Sequence, residues 1–162
     1  TKINYYFFIL FNIGKLPASG TVASIFTIIF YYLVYSFFSK LTIISIIIFT
    51  LLYSFFFLKK ILEKFKDEDP KEIVIDEFIG QLIPLTICDG NFVLIIISFI
   101  CFRFFDIFKI FPANIFDKNI KGTIGIIGDD LIAGIYSFLI IYILKIYIWK
   151  IKKLLKNLLK KK

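Results

Sequence analysis

Residues 22–58 read VASIFTIIFYYLVYSFF, then SK, then LTIISIIIFTLLYSFFFL. Two runs free of charge, 22–38 and 41–58, are joined only by Ser39 and Lys40. Each comes close to the roughly 20 apolar residues with which an α-helix crosses the ~30 Å hydrocarbon core of a bilayer. Two linking residues leave room only for a tight reversal, so the pair reads as a membrane helical hairpin.

Outward from this hairpin the same alternation continues. Upstream, 3–11 is apolar and aromatic but too short to span, since about 1.5 Å per residue carries it less than halfway across. Tyr5 and Tyr6 suit a membrane interface, and the segment reads as an interfacial helix. A polar stretch, 12–21, follows it with Gly14, Pro17 and Gly20. Downstream, 59–72 is highly charged and ends in Asp67-Glu68-Asp69-Pro70 before Lys71 and Glu72. Pro70 is expected to begin the next helix, because its missing N–H costs nothing in a first turn. The run 73–87 is apolar except for Asp76, Glu77 and Gln81, and it is short for a full crossing. Asp89-Gly90-Asn91 reads as a turn. A helix over 92–108 carries Arg103 and Asp106 near its end, a glycine-containing loop over 109–128 follows, and Asp129-Asp130 opens a last span over 131–149. In the tail, Ile151, Leu154, Leu155, Leu158 and Leu159 share one helical face and lysines the other, the pattern of a surface-lying amphipathic helix. The expected fold is therefore all-α and polytopic. It has about five membrane segments in a membrane-embedded domain, 1–149, and a basic amphipathic tail, 150–162.

Composition agrees. The 162 residues are 59% hydrophobic and 20% aromatic, and the mean hydropathy is +0.88; soluble domains lie nearer half apolar. Net charge is +8, much of it in the tail. Those lysines flank apolar runs, so anionic lipid headgroups are the expected partner and nucleic acid is not. There is no histidine, which removes the commonest general base and metal ligand. Any metal must then sit on carboxylates, which favours a hard ion such as Mg²⁺. Cys88 and Cys101 lie inside apolar runs and read as small buried hydrophobes. No methionine is present, so the numbered chain is expected to lack its initiator.

Five alternating spans put 12–21, 59–76 and 103–130 on one side of the membrane. Every unusual polar residue then gathers on one face. The lysines in those loops point to the cytoplasm. The still more basic tail falls on the opposite side, unless 73–87 re-enters instead of crossing; both arrangements remain open.

Charges within membrane segments cost about 2.5–3.5 kcal/mol each on insertion scales. Structural pairing explains one such residue better than five. Asp76 and Glu77 sit six or seven residues past Pro70, too deep for stabilisation by a helix start, and Gly80 shares a face with Asp76. Arg103, Asp106 and Lys109 share another face, where an intrahelical ion pair is the plain alternative. Gly122, Gly125 and Gly128 precede Asp129-Asp130 and offer backbone N–H groups to an anion, although one of the acids could simply cap the last helix. Gly14-Lys15-Leu16-Pro17-Ala18-Ser19-Gly20-Thr21 could also present N–H groups to phosphate, but lacks the nucleotide P-loop pattern. A cysteine phosphatase needs arginine six residues after its cysteine, and positions 94 and 107 are Leu94 and Ile107. Phosphohistidine chemistry needs histidine. The usual alcohol phosphotransferase motif is broken by Asn91-Phe92-Val93-Leu94 after Asp89-Gly90. Carboxylate-held metal acting on a phosphate is what remains.

Three stretches, LPASGTVAS at 16–24, IVIDEFIGQLI at 73–83 and FRFFDIFKIFPANIFDKNIKGTIGIIGDDLIAGI at 102–135, resemble the phosphatidylglycerophosphatase A family. The chain departs from the family at Ser19, at Lys109-Ile110-Phe111-Pro112, at Gly122-Thr123 and at Gly128, none of them an acid or cation lost from the expected site. The resemblance implies removal of the terminal phosphate from phosphatidylglycerophosphate, giving phosphatidylglycerol, in a bacterial inner (plasma) membrane with the active face cytoplasmic. Asp76, Glu77, Asp106, Asp129 and Asp130 are the expected metal or base residues, with Mg²⁺ as cofactor. Lys15, Arg103 and Lys109 are expected on the substrate phosphate. The rival reading is an ion or proton transporter, since intramembrane acids also mark ion pathways. It requires acids spread through the bilayer depth.

Overall fold

The computed structural model describes residues 2–63, 65 and 70–159. The acids Asp67, Glu68 and Asp69, expected in a water-exposed loop, lie outside the described residues, as do Lys64, Lys66 and the last three tail lysines. All regular structure among the described residues is helical: α1 Lys2–Phe8, a 3-10 turn Ile13–Lys15, α2 Ser19–Phe37, α3 Lys40–Leu62, α4 Ile75–Leu85, α5 Phe92–Phe108, α6 Ala113–Asn119 and α7 Thr123–Leu159.

The hairpin forms as its sequence demands. Phe38 and Ser39 are the extended residues between α2 and α3, and both helices expose large apolar side chains such as Ile29, Leu33, Phe49 and Phe56 outward. Among the described residues, three helices, α2, α3 and α7, are long and apolar enough to cross a membrane by length and composition. The expectation of about five spans is thus met in part. α5 has 17 residues, roughly 25 Å. α4 has 11, roughly 16 Å, about half of a hydrocarbon core.

Two helix starts differ from expectation. Pro70 does not begin α4. Its carbonyl accepts from Ile73 N in a turn, and Val74 N donates to Phe8 O, which ties the chain to α1 and delays the helix until Ile75. Tyr5 reinforces this tie through a 2.6 Å hydrogen bond to Glu72; that bond, with burial adding to it, pushes the Tyr5 hydroxyl up to about 12. Conversely, α7 begins at Thr123, well before Asp129. Gly125 and Gly128 are consequently helical residues, not loop residues. A Cβ at Gly125 would strike the Ile120 carbonyl and one at Gly128 the Phe116 ring, so their bareness lets α6 lie against α7.

α4 packs most extensively on α7. The crossing is made of small groups. A Cβ on Gly80 would stand 2.6 Å from the Phe102 ring and 2.7 Å from the Asp130 carbonyl, and one on Gly134 would stand 2.5 Å from the Gly80 carbonyl. Such close backbone approach is how helices associate where lipid gives them no hydrophobic drive. Pro84 lies inside α4 and weakens its last turn. Gln81 is fully buried, and its Nε2 points to Ser98 Oγ of α5 at 3.4 Å.

The far end is fixed by a second set of contacts. Gly90 N donates to the Tyr31 hydroxyl at 3.1 Å, and Lys145 of α7 pairs with Asp89. Lys145 is fifteen residues past Asp130, about 23 Å along the helix. The tail does not fold back as a separate helix: α7 runs unbroken for 37 residues to Leu159, and its last segment is exposed on all sides. Cys88 is buried, Cys101 is partly buried, and both are free thiols.

Candidate active site

The helix register brings the acids together. Asp76 precedes Gly80 by one turn on α4, and Asp130 precedes Gly134 by one turn on α7. The residue at i sits over the one at i+4. Where the two glycines cross, the two carboxylates are therefore stacked side by side. One ligand oxygen from each of Asp76, Glu77 and Asp130 lies within 4.8 Å of the others.

Around this trio is a cavity of about 670 Å³. Its wall is drawn from four places: Gly14 with residues 16–21, Lys71 and Ile73 with Asp76 and Glu77, the end of α5 with Arg103, Asp106 and Lys109, and α7 with Ile126, Asp129 and Asp130. The three loops expected on one face do converge. Among the described residues of this wall, five carboxylates confront three cations.

The charges are unevenly partnered. Arg103 pairs with Asp106 one turn along α5. Lys109 Nζ donates to Asp129 Oδ2 at 2.6 Å and also pairs with Asp117 on α6. Half-burial pulls the Lys109 ammonium down, but the hydrogen bonds to Asp117 and Asp129 outweigh it and hold the group above the ordinary lysine range. Asp76 Oδ1, Glu77 Oε2 and Asp130 Oδ2 are buried without a hydrogen-bond partner, as is Asp129 Oδ1, although the other oxygen of Asp129 holds Lys109. Unpaired buried carboxylate oxygens are costly, so their grouping fits a divalent cation with oxygen ligands. Two of the expected five, Asp106 and Asp129, stand outside this trio.

The structural alternatives for the two acidic pairs change places. Asp76 and Glu77 fall in the first turn of α4, where the helix dipole does favour anions; yet neither caps it, for the N-cap residue is Val74. Asp129 and Asp130 lie in the second turn of α7, too deep to cap anything. Gly20 opens α2 against the site: a Cβ there would strike the Glu77 carboxylate and come within 3.0 Å of Arg103 Nη1.

Lys15, expected on phosphate, is not part of the wall; it is exposed, with Nζ 5.4 Å from the centre of the Tyr5 ring. Lys71 and Thr21 line the cavity instead, and Ser19 hydrogen-bonds the Lys71 carbonyl at 3.0 Å. Nothing in the local sequence singled out Lys71. The only available sign was its place beside Pro70 in a loop already expected on that face.

The acids within α4, α5 and α7 all belong to this one cavity. None is strung along the bilayer depth, which disfavours the transporter reading.

Comparison with known proteins agrees with the geometry. The family profile described as Phosphatidylglycerophosphatase A matches residues 6–145. A Haemophilus influenzae protein named Phosphatidylglycerophosphatase A is 39% identical over 75 residues, covering 46% of each chain. An Escherichia coli protein of the same name is 40% identical over 75 residues, covering 46% of this chain and 44% of the relative. A Bacteroides thetaiotaomicron protein provisionally named phosphatidylinositol-3-phosphatase is 40% identical over 84 residues, covering 49% of this chain and 52% of the relative. The chain thus spans about half the length of the curated relatives it matches. No solved structure matches it.

Proposed function

The chain belongs to the phosphatidylglycerophosphatase A family, and on that premise we propose that it hydrolyses the terminal phosphate monoester of phosphatidylglycerophosphate, releasing phosphatidylglycerol and inorganic phosphate. The observation that carries the reading is the trio Asp76, Glu77 and Asp130, clustered and each with a buried oxygen that has no hydrogen-bond partner, in a cavity that also holds Arg103 and Lys109.

The trio would hold Mg²⁺, with Asp106 and Asp129 within the same wall as further candidates. A bound divalent ion supplies charge stabilisation at phosphoryl oxygens and lowers the pKa of a bound water. The chain's own residues do the rest. The Arg103 guanidinium offers the planar fork that suits phosphate oxygens, and Lys109 adds a second positive charge. A wall carboxylate takes the proton of the attacking water; as the P–O bond to glycerol breaks, the leaving oxygen gains a proton. Leu16, Ile107 and Ile126 border the cavity and would meet the lipid part while the acyl chains stay in the bilayer. The product has lost a dianionic group, so its hold on the cations weakens and it leaves.

On this reading α2, α3 and α7 cross a bacterial inner membrane, and α4 and α5 form a hairpin that returns to the face it left. Lysines around the cavity favour a cytoplasmic site. The α7 extension then emerges at the opposite face with its lysines, against the positive-inside rule. Release of inorganic phosphate from phosphatidylglycerophosphate by the purified protein, with phosphatidylglycerol as the lipid product, is the test. Intact substrate in the presence of Mg²⁺ would refute the proposal.

A further inference from the structure

Lys109 stands where a side chain is disfavoured. It caps α5 with φ 44° and ψ 56°, in the left-handed region. Glycine adopts that conformation without steric penalty and is the usual residue at such helix ends. A lysine there fits a position where the side chain has a task. That task is visible: Nζ reaches Asp129 on α7 and Asp117 on α6 at once. Asp129 is in the cavity wall, while Asp117 does not line the cavity and borders an adjoining pocket that shares Ile126 and Asp129 with it. α6 is brought into range because Gly125 and Gly128 admit it against α7. Three elements thus meet at one ammonium.

We propose that Asp117 is a positioning residue of the site: it holds Lys109 from behind, and Lys109 in turn fixes Asp129 in the cavity wall. The idea rests on the phosphatase reading above. It assigns work to a residue that touches neither the acidic trio nor the cavity. Without Asp117, Lys109 would be free to swing between Asp129 and solvent, and the wall would lose a defined geometry while keeping its chemical groups.

The test is a double-mutant cycle on phosphate release by the full chain. It uses wild type, Asp117→Asn, Asp117→Glu, Lys109→Gln and the double variant Asp117→Asn/Lys109→Gln, with thermal unfolding of each in the same detergent. Asp117→Asn is expected to lower kcat about tenfold or more while KM stays within about threefold, since small misplacements act on the reacting geometry. Asp117→Glu should regain most of that loss. The double variant should be within about twofold of Lys109→Gln alone, because residues acting through one another are not additive. If Asp117→Asn does not accumulate folded, Asp117→Ser replaces it in the same cycle. Wild-type kcat without the Asp117 carboxylate, or single losses that multiply in the double variant, would overturn the proposal. A wild type that releases no phosphate defeats the phosphatase reading and this inference with it. An active wild type beside an unaffected Asp117→Asn defeats this inference alone.

Discussion

Asp76, Glu77 and Asp130 share a cavity with Asp106 and Asp129 but keep different company. The first three come from α4 and α7 at a glycine crossing and face each other with orphaned oxygens. The other two each hold a cation, Arg103 or Lys109. A buried charge is tolerated when it is paired. Asp106 and Asp129 obtain that pairing from within the chain. Each of the trio keeps a buried oxygen without a hydrogen-bond partner, which fits the external cation proposed above. On the proposed function, the difference would separate residues that hold an added cation from residues that hold the cavity's own cations in place.

The largest effect is expected at the trio. Asp76→Asn and Asp130→Asn should each cost at least about a hundredfold in phosphate release, the low end for losing a catalytic group. Each should also raise the Mg²⁺ concentration needed for half-maximal rate. Asp106→Asn and Asp129→Asn should cost less, about tenfold, because each is already paired with Arg103 or Lys109 and would add at most an auxiliary ligand to the ion. Rates that fall equally in both sets would erase the distinction.

A smaller effect tests the crossing that assembles the trio. Gly80→Ala places a methyl against the Phe102 ring and the Asp130 carbonyl. Overpacking of this kind costs about 1–3 kcal/mol, read as a lower unfolding temperature, and a several-fold slower rate should accompany it as α4 and α7 separate. Unchanged stability would mean that the close approach is not what sets the acids together. The smallest effects belong to residues outside the cavity. Lys15→Gln and Asp89→Asn should stay within about twofold of wild type, as exposed substitutions usually do. A large loss at Lys15 would restore it to the phosphate site.

The sequence makes the hairpin plain, because two charge-free runs around Ser39-Lys40 admit no other arrangement. It also shows that the polar loops share a face, since alternating passes require it. The true helix starts are hidden. Whether α4 begins at Pro70 or Ile75 is decided by Val74 N reaching Phe8 O, 66 residues away in sequence. Whether α7 begins at Thr123 or Asp129 is decided by α6 docking on Gly125 and Gly128. Such long-range bonds leave no local trace. The division of the five acids was equally hidden: spacing placed Arg103 near Asp106, but no pattern within one helix could have paired Lys109 with Asp129, 20 residues on, or Asp76 with Asp130. Gly80 was legible as a close-approach residue, whereas Gly134 acquires meaning only once α4 lies across it.

Exhaustive chelation followed by Mg²⁺ titration of wild type and Asp130→Asn, measured on phosphatidylglycerophosphate in one detergent, decides whether Asp76, Glu77 and Asp130 hold a divalent cation required for phosphate release. The account predicts that chelated wild type is inactive and is restored by Mg²⁺, and that Asp130→Asn regains only a small fraction of the rate and needs far more ion to do so. Full turnover by wild type after exhaustive chelation would contradict it.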